Sequence, residues 1–300
     1  MGKMIYQQPV EFREAINGVE LNWFEWGQPK TDEDSILLVH ATGFHARCWD
    51  ETITHMPNRH VIALDMRGHG RSEDVGPFNW QVFGDDVVAF IEYLNMNSLI
   101  GTGHSMGGHS VLQAAINHPD RFSRLVLVDP VILPPEAYED LNPSHHSWLD
   151  EEGEHPVARR KNFFKDASAM YLNFHGRGSF ALWQDKVLDD YCRYGLLPLA
   201  DGTGYRLACP PAIEASIYMG SSGYNIIDRV GELEMPVKVL RAKAREEGQT
   251  KMDFSLSPTW EKLASHFKRG QDIHLPQLSH FLPMQDPELV AGHILSHAFV

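Results

Sequence analysis

Five short apolar runs, separated by stretches with apolar residues at helical spacing, constrain this chain more than any other feature. They are Ile36-Leu37-Leu38-Val39, Val61-Ile62-Ala63-Leu64, Leu99-Ile100-Gly101-Thr102, Leu125-Val126-Leu127-Val128 and Val237-Lys238-Val239-Leu240. A weaker one lies at Ile273-His274-Leu275. Apolar runs of this length without alternation suit strands covered on both faces, the condition of a parallel sheet. Between them, Val82 to Leu94 and Met106 to Asn117 carry a helical period, the second closed by His118-Pro119. Upstream, Glu11-Phe12 and Val19 to Trp26, joined by Asn17-Gly18, read as an antiparallel hairpin. The expected fold is α/β, a mostly parallel twisted sheet flanked by helices.

After Val128 the rhythm breaks. From about Leu133 to Tyr224 the chain is rich in aromatics and helix-like pieces, such as Asp166 to Phe174 and Trp183 to Tyr194, and lacks buried-strand runs. Strand and helix alternate again from Pro236. Three hundred residues suit one large α/β domain with an insertion. The expected division is a core in two parts, 1–132 and 225–300, with a helical cap over 133–224. Aromatic side chains in such a cap would line an apolar pocket.

A formal net charge of −14 argues against nucleic acid or an anionic membrane surface as a partner. The expected partner is a small molecule, with association between copies left open. No stretch is apolar for long enough to span a bilayer, and the first residues carry no secretory pattern. Three widely spaced cysteines, Cys48, Cys192 and Cys209, fit free thiols in a reducing compartment, so a cytoplasmic enzyme is expected. His145-His146 beside Asp150-Glu151-Glu152 lacks the ligand spacing of a zinc site and reads as a solvated loop.

The chemistry concentrates at Gly103-His104-Ser105-Met106-Gly107, a G-x-S-x-G pattern placed directly after a strand and before a helix. A serine hydroxyl is a poor nucleophile and must project from a sharp turn toward a base. Glycines on either side permit the turn, and the helix N-terminus favours the negative charge that develops there. On the preceding strand, His40-Ala41-Thr42-Gly43-Phe44 is placed to complete an oxyanion site. A tetrahedral oxyanion needs two preorganised N–H donors, and the candidates are the backbone groups of Met106 and Thr42. The Thr42 hydroxyl is a further possible donor.

These residues resemble the α/β-hydrolase superfamily over nearly the whole chain. Asp65-Met66-Arg67-Gly68-His69-Gly70-Arg71-Ser72 is similar to a D-x-R-G-x-G-x-S segment of that superfamily, where it is taken as structural. Leu278-Ser279-His280-Phe281-Leu282-Pro283 resembles the loop that carries the catalytic histidine, which implies His280 as base, ahead of a final helix over Asp286 to Ala298. Ala41 departs from the usual glycine. The resemblance places the orienting acid in the loop after Val237 to Arg241, where Glu246, Glu247 and Asp253 are available, and counting along the loop favours Glu246. Asp129, at the end of the strand Leu125 to Val128, is a rival, as is Asp253; some members carry the acid at the former position.

The implied activity is hydrolysis of a small or medium carboxylic ester through an acyl-enzyme on Ser105, without metal or organic cofactor. A serine nucleophile disfavours the aspartate-dependent dehalogenases and epoxide hydrolases of this fold. Lactonases, perhydrolases and C–C bond hydrolases remain, the last usually needing an arginine for a substrate carboxylate; the cap offers Arg159, Arg160, Arg177 and Arg193. A non-catalytic small-molecule receptor is the rival outside enzymes. A nucleotide-binding reading of Gly101 to Gly108 fails on spacing, since it lacks G-x-G-x-x-G and lies deep in the chain.

Overall fold

The computed structural model describes residues 8–139, 149, 153–220, 225–245 and 253–298. Its central sheet has eight strands: β1 (Val10–Ile16), β2 (Val19–Trp26), β3 (Ser35–Val39), β4 (Val61–Asp65), β5 (Leu99–His104), β6 (Phe122–Val128), β10 (Val237–Arg241) and β11 (Gly270–His274). Their order is β1-β2-β4-β3-β5-β6-β10-β11, antiparallel only at β1-β2 and β2-β4. The hairpin turns at Asn17 and Gly18, both at positive φ (50° and 76°), the conformation that an Asn-Gly pair adopts with least cost.

Side-chain alternation sorts each buried strand onto two cores. Leu37, Val39, Ile62, Leu64, Leu125, Leu127, Val237 and Val239 share one face with α2 (Trp80–Tyr93) and α3 (Met106–Asn117). Ile36, Leu38, Val61, Ala63, Val126, Val128 and Leu240 share the other with α1 (Asp50–Thr54) and α10 (Pro287–Leu295). Asn79 caps α2 by accepting from the Val82 N–H at 3.0 Å, a contact worth about 1 kcal/mol. The last helix is shorter than its pattern suggests. It stops at Leu295 because Arg124 and Lys238 reach its end, donating to the carbonyls of Ile294 and Ser296 at 2.7 and 2.8 Å.

Between β6 and β10 the chain leaves the sheet. It passes through α4 (Glu136–Glu139), α5 (Ala167–Phe174), α6 (Asp185–Tyr194), α7 (Pro211–Met219) and α8 (Ile227–Val230). Three short strands, β7 (Phe163–Phe164), β8 (Leu196–Pro198) and β9 (Tyr205–Leu207), add an antiparallel sheet ordered β7-β9-β8. A reading in helical pieces alone does not foresee these strands, since two or three residues are too few to show a period. After β11 comes α9 (Leu282–Gln285). No helix among the described residues is long and apolar enough to cross a membrane.

The strand order reverses between β3 and β5: the chain runs from β3 out to β4, then returns past β3 to β5 and β6. In open α/β sheets the crevice at such a reversal, beyond the carboxyl ends of the strands, is where ligands bind.

Candidate active site

Ser105 stands in that crevice, between the last residue of β5 and the first of α3. Its φ of 57° is rarely adopted by a non-glycine residue. Neighbours enforce the strain: the Ser105 N–H donates to the Val128 carbonyl at 3.0 Å, and its own carbonyl accepts from the Gly108 and Val131 N–H groups. A Cβ at Gly103 would lie 2.2 Å from the Gly107 carbonyl oxygen, and one at Gly107 would lie 2.4 Å from that of Val39. Only glycine lets the helix approach the sheet so closely.

Across the sheet, His280 Nε2 lies 3.0 Å from Ser105 Oγ and His280 Nδ1 lies 2.7 Å from Asp129 Oδ2. An ionised carboxylate only accepts, so the ring proton sits on Nδ1 and leaves Nε2 free to accept from the serine hydroxyl. His280 is also fixed through its backbone. Its N–H donates to the Ser255 carbonyl at 2.8 Å, and its carbonyl accepts from His104 Nε2 at 2.7 Å. Burial holds the His104 imidazole well below its ordinary pKa, so it is a neutral donor. The Ser279 N–H donates to Gln285 Oε1 at 2.7 Å, tying the same turn to α9.

The carboxylate at His280 is therefore Asp129, where counting along the loop after β10 puts Glu246 first. Glu246 and Glu247 lie outside the described residues. Asp253 serves a different contact: its Oδ1 accepts from both the N–H and the hydroxyl of Ser255, which draws its pKa down and shapes the turn whose carbonyl receives the His280 N–H. Asp129 is fully buried, at a φ of 44°. Its Oδ1 accepts from the Ala242 N–H (3.0 Å) and the Ser257 hydroxyl (2.6 Å), while the Thr259 hydroxyl, 3.2 Å away, donates to the Pro130 carbonyl at 2.6 Å. Ser257 and Thr259 stand far from Asp129 in the chain, and no local pattern announces them. His104 is different, since it lies inside the serine motif.

Thr42 and Met106 lie side by side, the Thr42 hydroxyl donating to Met106 Sδ at 3.3 Å. That hydroxyl is thus directed at the sulfur. Met106 opens α3, so its N–H has no intrahelical acceptor. Two neutral imidazoles hold the Thr42 loop. His40 Nε2 accepts from the Met66 N–H and His69 Nε2 from the Gly43 N–H, each at 3.0 Å. Burial pulls the His69 ring down to about 4 and the His40 ring well below its ordinary value. The segment after β4 braces the loop: Asp65 accepts from the Ala46 and Arg71 N–H groups, and burial pushes its carboxyl up to about 6. Arg67 forms a buried two-point pair with Asp86, both contacts 2.8 Å.

Aromatic rings from the insert close over Phe44 and Phe281. Phe44 meets Trp183 at 5.4 Å and Tyr191 at 5.6 Å between centroids, and Phe281 meets Trp183 at 5.7 Å. The Phe44 ring also stacks at 6.3 Å from His104. Among the described residues no group of three histidine, cysteine or carboxylate side chains is placed to hold a metal ion. His145 and His146 lie outside those residues.

Known proteins share this architecture. The chain is 26% identical over 288 residues to a bifunctional esterase/perhydrolase of Acinetobacter calcoaceticus, covering 93% of this chain and 96% of that one. It is 31% identical to 3-oxoadipate enol-lactonase 2 of Acinetobacter baylyi over 113 residues, 37% of this chain and 42% of the relative. The crystal structure of an E-2-(acetamidomethylene)succinate hydrolase superposes with a TM-score of 0.73 at 20% identity, over 95% of this chain and 97% of that one. Residues 36–293, which hold every group described around Ser105, match the model of the alpha/beta hydrolase family, and the chain belongs to that family.

Proposed function

We propose that this protein is a serine hydrolase that cleaves small to medium carboxylic esters through an acyl-enzyme on Ser105. The observation that carries the reading is His280 bridging Ser105 and Asp129, at 3.0 and 2.7 Å. His280 Nε2 takes the Ser105 proton as Oγ attacks the ester carbonyl, and the Met106 and Thr42 N–H groups receive the oxyanion. Asp129 holds the ring tautomer and stabilises the imidazolium. The alcohol leaves with the proton from Nε2, and the acyl group remains on Oγ. Water, deprotonated by the same nitrogen, then releases the acid and restores the serine. The insert acts as a cap whose aromatic rings exclude water from these steps. A lactone is an ester within a ring, so the likeness to an enol-lactonase fits the same course.

Labelling by a fluorophosphonate tests the reading. Wild-type protein is expected to react stoichiometrically at Ser105 and to hydrolyse p-nitrophenyl esters. Ser105→Ala is expected to lose labelling and to lower kcat by about 10⁴-fold or more. A wild-type protein that stays unlabelled and turns over no ester is a receptor on a hydrolase fold, and the proposal fails.

A further inference from the structure

Two arginines of the insert are partly buried, Arg160 and Arg206, and the second turns away to Asp74, donating from Nη2 to its Oδ2 at 3.3 Å. Arg159, Arg177 and Arg193 are exposed. The Arg160 guanidinium pairs with Glu214, and its side chain is 26% exposed against 5% for the glutamate. Arg160 Nη2 also donates to the Tyr191 hydroxyl at 3.3 Å, and the guanidinium carbon lies 5.9 Å from the Phe174 ring centre. Tyr191 is part of the aromatic roof on Phe44. From the other side, Glu214 rests on the loop that carries Thr42. A Cβ at Gly43, where φ is 80°, would stand 2.6 Å from Glu214 Oε1.

The pair therefore sits between the roof and the proposed oxyanion loop, against Gly43, the residue after Thr42. An unpaired arginine there would attract a substrate carboxylate by a two-point contact. Here its charge is already cancelled. A second carboxylate would have to displace Glu214 or lie beside it, and like charges in a dry wall repel strongly.

Resting on the acyl-enzyme reading above, we propose that the Arg160–Glu214 pair makes this site select uncharged acyl groups and reject substrates that carry a free carboxylate. The wall presents donors and acceptors of zero net charge, which suits an alkyl or neutral polar acyl chain. It also occupies the arginine of the insert that touches the aromatic roof.

The test compares two esters of one acyl length, p-nitrophenyl pentanoate and mono-p-nitrophenyl glutarate, which differ in a terminal methyl against a terminal carboxylate. Wild-type kcat/KM is expected to be at least thirtyfold lower for the glutarate ester. Glu214→Gln frees the guanidinium and is expected to raise the glutarate-to-pentanoate ratio at least tenfold, chiefly through KM of the glutarate ester. Glu214→Ala also frees the guanidinium and is expected to raise the ratio at least tenfold; it serves alone if the first variant does not fold. A wild-type ratio within threefold of unity, or a ratio unmoved in a folded variant, overturns the inference while the esterase reading stands. Turnover of neither ester, with Ser105 unlabelled, removes the esterase reading instead.

Discussion

Replacing Asp129 by asparagine probes the centre of the site, because the surroundings dictate which way the new amide must point. The Oδ1 position faces the Ala242 N–H at 3.0 Å and the Ser257 hydroxyl at 2.6 Å. A backbone N–H can only donate, so an amide nitrogen placed against it would meet hydrogen with hydrogen. The amide NH2 is therefore turned to the Oδ2 position, 2.7 Å from His280 Nδ1. There it donates to the ring and drives the ring proton to Nε2, where nothing is left to accept the Ser105 proton. Loss of the correct tautomer and of the charge facing the imidazolium is expected to lower kcat/KM for a neutral ester about 10³- to 10⁴-fold, or about 4–5.5 kcal/mol. The side chains are isosteric and Oδ1 keeps its donors, so the melting temperature is expected to move by less than about 5 °C. Steady-state hydrolysis, normalised to active sites titrated with a fluorophosphonate, gives the number. Retention of a tenth of wild-type kcat/KM, or an equal loss in Glu246→Gln, would refute the assignment of Asp129.

Ser257 makes the shortest contact to Asp129 Oδ1, so Ser257→Ala is expected to lower kcat about tenfold. Ser257→Thr keeps the hydroxyl and is expected to restore kcat, and an alanine variant with kcat within twofold of wild type shows the contact to be only structural. Stability carries its own pH signature. Burial holds His45 at about 3 and His69 at about 4, below the ordinary 6.5, so the unfolded chain binds more protons and stability is lost as pH falls below 6.5. Between pH 7 and pH 5 each ring costs about 2 kcal/mol, while Asp65, held up at about 6, gains protons in the folded state and returns about 1 kcal/mol. His40 and His104, also held well below 6.5, add to the loss, so urea denaturation is expected to show a net loss of at least about 3 kcal/mol over that interval, and a flat or rising stability would contradict the buried neutral imidazoles.

The sheet was legible because both faces of each central strand are covered, which writes the strand as an unbroken apolar run such as Ile36 to Val39. The hairpin was legible because Asn17-Gly18 has a backbone requirement few other pairs meet. Ser105 and His280 were legible as candidates because their turns need particular neighbours, glycine above all. The partner of His280 was not. Glu246 and Asp129 both lie beyond the end of a strand, and only the register of β6 against β10, with the fold of the later segment over Oδ1, brings one carboxylate to Nδ1. Arg160 posed the same difficulty in the insert: its charge was visible, and the buried glutamate that cancels it stands 54 residues away. Pairings at such distance leave no periodicity and no spacing to read.

The sheet also explains why groups so distant in the chain can meet with the accuracy catalysis needs. The parallel ladders do not stop where the strands do. Ser105 N–H donates to the Val128 carbonyl, Asp129 N–H to that of Leu240, and Leu275 N–H to that of Arg241, at 3.0, 2.7 and 2.7 Å. These rungs carry the strand spacing one residue past β5, β6 and β11, so the serine and the acid leave the sheet from adjacent strands at matched heights. The positive φ at both residues turns each side chain out of the pleat toward the third member. His280 then needs only a short turn after β11, and His104, Ser255 and Gln285 fix that turn from three sides. Reaction geometry is thus set by the sheet, whose rungs cannot slip singly, while Arg160, Tyr191 and Glu214 belong to the insert. On the proposed acyl-enzyme reading, substitutions in the insert accordingly alter which acyl group is accepted without displacing the atoms that transfer it.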